Sequence, residues 1–207
     1  KRNPGSAFKP ITLLAALDPH DNMGFLDNYF PESLFFTKFD HLDQYLNKLT
    51  SQNRAVDYVS VCSPNYLHHR HIKSALNWNA DAICEKPLVL NPWDINLLKK
   101  IEQETGRRIW NVLQLRCHPR IISLKKHIDA ADKDKVFEID LTYITSRGLW
   151  YYASWKGQEK KSGGIATNIG VHFFDMLAWI FGNLNRNVVH IHTHDRASGY
   201  LEFTKAR

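Results

Sequence analysis

Hydrophobic positions follow two rhythms along the chain, and the change between them near residue 118 predicts a domain boundary. In the first part, short apolar runs alternate with stretches of helical spacing. Residues 11–17, 55–62, 81–84 and 108–114 read as buried strands. Between them, residues 40–49 set Leu42, Tyr45, Leu46 and Leu49 on one helical face. A helix following Ser63-Pro64-Asn65 should run to about residue 77, and an amphipathic helix over 92–105 should stop at Gly106. Strands alternating with helices imply parallel strands joined by crossovers.

After residue 118 the pattern changes. A helix is predicted over 120–130. Residues 136–145 then alternate apolar and polar, as a half-exposed antiparallel strand does. An aromatic and basic segment follows at 147–156, then a glycine pair, Gly163-Gly164, opening a long apolar helix that reaches Gly182. Two strand-like runs, 187–194 and 197–204, end the sequence. The expected fold class is α/β, with a Rossmann-type parallel sheet domain over residues 1–118. An α+β domain with a mostly antiparallel sheet should occupy 119–207. Both should be incomplete. Only ten residues precede the first strand, without a Gly-x-Gly-x-x-Gly, so the opening strand and glycine-rich loop are missing from the first domain. One helix and three strands leave the second sheet unfinished at its C-terminal end.

Composition narrows the classes. With 207 residues, 43% of them hydrophobic, the chain can bury a sizeable core. No run approaches the roughly 20 apolar residues of a membrane span, and the basic start has no apolar core behind it, so neither a membrane partner nor a signal peptide is expected. The formal charge is +6, but the basic residues are scattered. That argues against nucleic acid and suits a basic cleft for a small anion. Cys62, Cys84 and Cys117 lie far apart and read as reduced, partly buried thiols of a cytoplasmic protein.

Candidate chemistry clusters at strand ends. Glu85-Lys86-Pro87 closes the 81–84 strand, where open α/β sheets place ligands, and a lysine there can reach a substrate hydroxyl. Asp18, after the first strand, is either a holder of adenosine ribose hydroxyls, favouring NAD over NADP, or a turn-forming Asp before Pro. Ser63, Asn65 and His68 form a polar turn over a helix start, suited to phosphate or ribose. The histidines at 68, 69 and 71 match no standard metal spacing, and no metal is expected. Arg147, Trp155 and Lys156 could line a sugar-nucleotide pocket or belong to an aromatic cluster packed on the sheet. Asn168, His172 and Asp175 share one helical face, which fits either catalysis or a satisfied core histidine. His190, His192 and His194 alternate along a strand, as a half-exposed sheet face or, less simply, as metal ligands.

Four motifs stand in order: Ser63-Pro64-Asn65 with His68, Glu85-Lys86-Pro87, Leu115-Arg116-Cys117-His118-Pro119, and Gly163-Gly164 with Asn168, His172 and Asp175. In this the sequence resembles the Gfo/Idh/MocA family of NAD(P)-dependent sugar oxidoreductases. Its stretches 85–93, 114–119, 154–157 and 168–177 resemble the branch that oxidises UDP-N-acetylglucosaminuronic acid at C3 in lipopolysaccharide and O-antigen synthesis. The resemblance implies NAD as cofactor, with Asp18, Ser63, Asn65, His68, Glu85, Lys86 and Gln114 around it. It implies His172 as general base and Lys86 as the group that polarises the reacting hydroxyl. Asn168 stands where many relatives carry Asp; an amide cannot accept a proton, so Asn168 should orient substrate. Arg147, Trp155 and Lys156, with Lys86, Asn168 and His172, are the candidates for substrate binding. The implied partners are a UDP-sugar, 2-oxoglutarate as regenerating oxidant, and copies of the same chain in a homo-oligomer, a tetramer. Two other readings remain: oxidation of another sugar or inositol, and a non-catalytic sugar- or NAD-sensing relative.

Overall fold

The computed structural model describes the backbone of residues 11–13 and all of residues 36–207 except 194. Asp18 and His194 lie outside the described residues, so the readings made on them stay at the level of sequence. The chain divides into two compact units, one of Lys1–Ser63 with Leu67–Asn111 and the other of Pro64–Tyr66 with Val112–Arg207.

The first unit is a parallel sheet in the order β1 (Ile11–Leu13), β2 (Tyr58–Val61), β3 (Asp81–Cys84) and β4 (Ile109–Asn111). Helices α1 (Phe39–Ser51), α2 (His68–Asn77) and α3 (Asp94–Thr105) intervene in sequence. Val59, Val61, Ala82 and Cys84 are buried in the sheet, against Leu46, Ile72, Leu76 and Leu98 from the helices. Trp78 seals the end of α2: its Nε1–H donates to Asp43 Oδ1 at 2.9 Å and its carbonyl accepts from Thr50 Oγ1 at 2.9 Å. Gly106 ends α3 in the left-handed region, φ 68°, as its place after the last apolar turn predicts. The predicted strand over 108–114 is three residues long. Its ladder with β3 ends where Cys84 pairs Asn111, and Gln114–Cys117 turn into a 3-10 helix.

The second unit holds α4 (Pro119–Ala130), α5 (Leu149–Ala153), α6 (Glu159–Ser162), α7 (Val171–Phe181) and an antiparallel hairpin of β5 (Leu184–His192) and β6 (Ala197–Phe203). Ile128, Leu177, Ile180, Phe181 and Phe203 form its core. His118 caps α4, its Nδ1 accepting from Arg120 N–H at 3.3 Å, with Pro119 in the first turn.

Several expectations change here. Residues 136–145 are not an antiparallel strand. Phe137 makes one parallel bridge, to Ala206, and the Ile139 N–H reaches the Arg207 carbonyl at 3.0 Å. Alternation gives a strand only where a neighbouring strand accepts its hydrogen bonds. The apolar helix opens at the glycine pair as expected, but its early part is not regular α-helix. Gly163 and Gly164 take φ of 83° and 71°, and Ala166–Gly170 form a π-turn before α7. By length and composition Glu159–Phe181 would suffice to cross a membrane, but Gly163 interrupts it and its last turn packs into the core. Cys62 and Cys117 are exposed, and only Cys84 is buried; all three are free thiols. A bulge between Val189 and Ile191 also interrupts the alternation that aligned the histidines of β5.

Candidate active site

In the first unit, register places Val61, Cys84 and Asn111 side by side, so β2, β3 and β4 all end at one sheet edge. Parallel strands open their C-terminal loops there, the position of ligands in open α/β sheets. Glu85 and Lys86 lie just past β3, both half-buried, ahead of a cis peptide at Lys86-Pro87. Glu85 N–H donates to Val61 O at 2.9 Å. Asn111 Nδ2 donates to Cys84 O at 3.0 Å and Glu85 O at 3.3 Å, holding the Glu85-Lys86 turn from the next strand. No sequence signal marked Asn111, because its partners are set by strand register.

Ser63 and His68 are buried beneath the loop after β2. His68 Nδ1 lies 2.7 Å from the Pro87 carbonyl oxygen and Nε2 lies 2.8 Å from that of Ser63. Ser63 Oγ lies 2.9 Å from His71 Nδ1, and Phe39 stacks on the His71 ring with centroids 4.5 Å apart. Burial, then electrostatic repulsion from Arg70 and His68, pushes His71 down to about 4, so it is neutral at physiological pH. Burial also pushes the Cys84 thiol up, with Cys62 and Glu85 adding to the shift; it is an inert core residue.

In the second unit, Asn65 is buried and donates through Nδ2 to Ser162 O at 2.8 Å and to Asn168 Oδ1 at 3.2 Å. Asn168 sits in the π-turn, a form of helix that recurs at functional sites. His172 and Asp175 follow on α7. Arg116, in the 3-10 turn that also carries the exposed Gln114, forms a bidentate pair with Asp175, Nε to Oδ2 at 2.8 Å and Nη2 to Oδ1. That hydrogen bonding raises the Arg116 guanidinium still further. Arg116 and Asp175 both stood in quoted motifs, but only folding pairs them.

The aromatic segment is split in its exposure. Tyr151 is buried, whereas Trp150 and Tyr152 are exposed. Arg147 lies over the Tyr151 ring at 5.2 Å, and Lys156 over Trp150 at 5.3 Å and Trp155 at 5.9 Å. Both cations therefore rest on ring faces of their own segment. A recess beside them is lined by Tyr151, Tyr152, Lys156, Glu159, Ser162 and Ile165.

Two family profiles match the sequence. Residues 10–112 match an oxidoreductase family's NAD-binding Rossmann fold, and residues 125–207 match the C-terminal alpha/beta domain of the same family. The chain belongs to the Gfo/Idh/MocA oxidoreductase family. Its first unit is the family's NAD-binding Rossmann domain. The shared sheet edge with Ser63, Glu85 and Lys86 suits that cofactor.

Among solved structures, it is similar to the WlbA (WbpB) dehydrogenase of Thermus thermophilus. In the complex of that enzyme with NAD and UDP-GlcNAcA the identity is 48%, the TM-score is 0.87, and 95% of this chain and 63% of that chain are covered. A complex of the same enzyme with NAD and alpha-ketoglutarate matches at 48% identity and a TM-score of 0.86. Curated relatives include the D-glucoside 3-dehydrogenase of Escherichia coli, 25% identical over 61% of this chain, and the inositol 2-dehydrogenase of Rhizobium meliloti, 27% identical over 61%. This chain spans 36% and 37% of the length of those two.

Proposed function

We propose that the protein to which this chain belongs is an NAD-dependent sugar-nucleotide dehydrogenase. It oxidises the C3 hydroxyl of UDP-N-acetylglucosaminuronic acid to the 3-keto sugar in lipopolysaccharide or O-antigen synthesis. The observation that carries the reading is the 48% identity, over 95% of this chain, to an enzyme crystallised with NAD and that sugar nucleotide. NAD supplies the hydride acceptor. Lys86 donates a hydrogen bond to the reacting hydroxyl and stabilises its oxygen as the proton leaves, and His172 takes that proton. Asn168, tied through its Oδ1 to Asn65, orients the sugar and accepts no proton. Ser63, Asn65, Glu85 and Gln114 border the cofactor, with Asp18 on its ribose, while His68 holds the loops. Arg147, Trp155 and Lys156 take the anionic end of the substrate. 2-Oxoglutarate returns NADH to NAD and is itself reduced to 2-hydroxyglutarate.

The curated relatives favour a second reading, oxidation of a glucoside or an inositol. The test is absorbance at the NADH band with full-length protein, NAD and each candidate. UDP-N-acetylglucosaminuronic acid is run with and without 2-oxoglutarate, in case bound NADH stalls turnover, and 2-hydroxyglutarate is assayed in the first. NADH or 2-hydroxyglutarate formed with the sugar nucleotide is expected. Turnover of only glucosides or inositols would transfer the assignment to those substrates.

A further inference from the structure

His68 is fully buried at the start of α2, and both of its ring nitrogens face backbone carbonyl oxygens, at 2.7 Å and 2.8 Å. A carbonyl oxygen only accepts, and a neutral imidazole carries one N–H. In either neutral tautomer the other nitrogen would direct its lone pair at a carbonyl oxygen within hydrogen-bonding distance. From this geometry we infer that His68 is a buried imidazolium that positions the two loops of the cofactor edge, donating from Nδ1 to Pro87 and from Nε2 to Ser63.

The surroundings agree. A cation at the start of a helix opposes the helix dipole, so its charge must be met by other groups. The two carbonyl oxygens meet it directly. The neighbouring histidine of α2, His71, is held neutral, so the pair does not carry two adjacent charges. The consequence is mechanical. Pro87 is bonded to Lys86, and Ser63 lies in the loop after β2. One side chain thereby ties the lysine turn to that loop across 19 residues of sequence on one side and 5 on the other. A neutral side chain of similar size cannot donate to both.

The consequence for turnover rests on the dehydrogenase reading, whereas the protonation does not. Neutron diffraction from crystals of the full-length protein should show hydrogen, or exchanged deuterium, on both Nδ1 and Nε2 of His68. Density on one nitrogen alone would overturn the inference. Two variants separate the ties, since an Asn amide nitrogen overlies Nδ1 and a Gln amide nitrogen overlies Nε2. His68→Gln loses the Pro87 tie and should lower kcat by about tenfold with the KM for NAD nearly unchanged. His68→Asn loses the Ser63 tie and should raise the KM for NAD roughly fivefold with kcat largely kept. Equal losses of both parameters in the two variants, or no loss in either, would refute the positioning role. A wild-type protein silent with every sugar would count against the dehydrogenase reading alone, and the neutron map would still decide the imidazolium.

Discussion

Lys86 and His172 carry the proposed chemistry, and each was marked in the sequence by a short motif. Replacing either with Ala in the full-length enzyme should lower kcat by about 100-fold or more, because each removes proton transfer or charge stabilisation at the reacting oxygen. Circular dichroism should show the fold retained, since both are only half-buried. Near-normal turnover in both variants would remove the mechanism. Asn65, Asn111 and Arg116 show what motif reading leaves out. Their hydrogen-bond partners lie 97, 27 and 59 residues away, at Ser162, Cys84 and Asp175. No local spacing encodes a contact over such distances.

At the scale of elements, α2 couples stability to pH. His71 titrates at about 4 in the folded chain against 6.5 unfolded, so between those values the unfolded state binds the extra proton. Stability contributed by the neutral ring is full above about pH 6.5 and is lost as pH falls towards 4. After discounting for solvent screening, the loss is on the order of 2 kcal/mol. Urea unfolding of the full-length protein from pH 7 to pH 4 should follow this slope, and His71→Asn, which keeps an acceptor for Ser63, should flatten it. The break before α7 makes a separate prediction. Gly164 has φ 71°, and a Cβ there would meet Glu159 Cγ at 3.4 Å. Gly164→Ala should therefore cost roughly 1 kcal/mol in the same assay, from backbone strain more than from crowding. An unchanged midpoint would mean the turn relaxes without loss.

For the whole molecule, charge matters more than any one pair. The sequence carries a formal +6, and the proposed substrate is anionic. Raising ionic strength from about 0.01 M to 0.15 M shortens the Debye length from about 30 Å to 8 Å. The kcat/KM for the sugar nucleotide should fall severalfold over that range while kcat changes little, because steering acts on encounter and not on the bound state. A flat salt profile would show that the scattered basic residues do not act on the substrate. Patterning also had its limits at this scale. It read 136–145 as an antiparallel strand, whereas Phe137–Ile139 pair in parallel with residues 205–207. Alternation reports which side of a segment is buried; it does not name the neighbour or its direction.

The sequence by itself determined the order of strands and helices in the first unit, the stop at Gly106 and the strand-end position of Lys86. Each of these follows from hydrophobic period, local backbone preference or a residue's place at the end of a run, and such causes act within a few residues. Tertiary structure alone decided that His68 faces two carbonyls, that Asn65 holds Asn168, that Arg116 pairs Asp175, and that Ala166–Gly170 form a π-turn ahead of α7. Buried polar groups must find partners wherever packing brings them, and packing joins segments the sequence keeps apart.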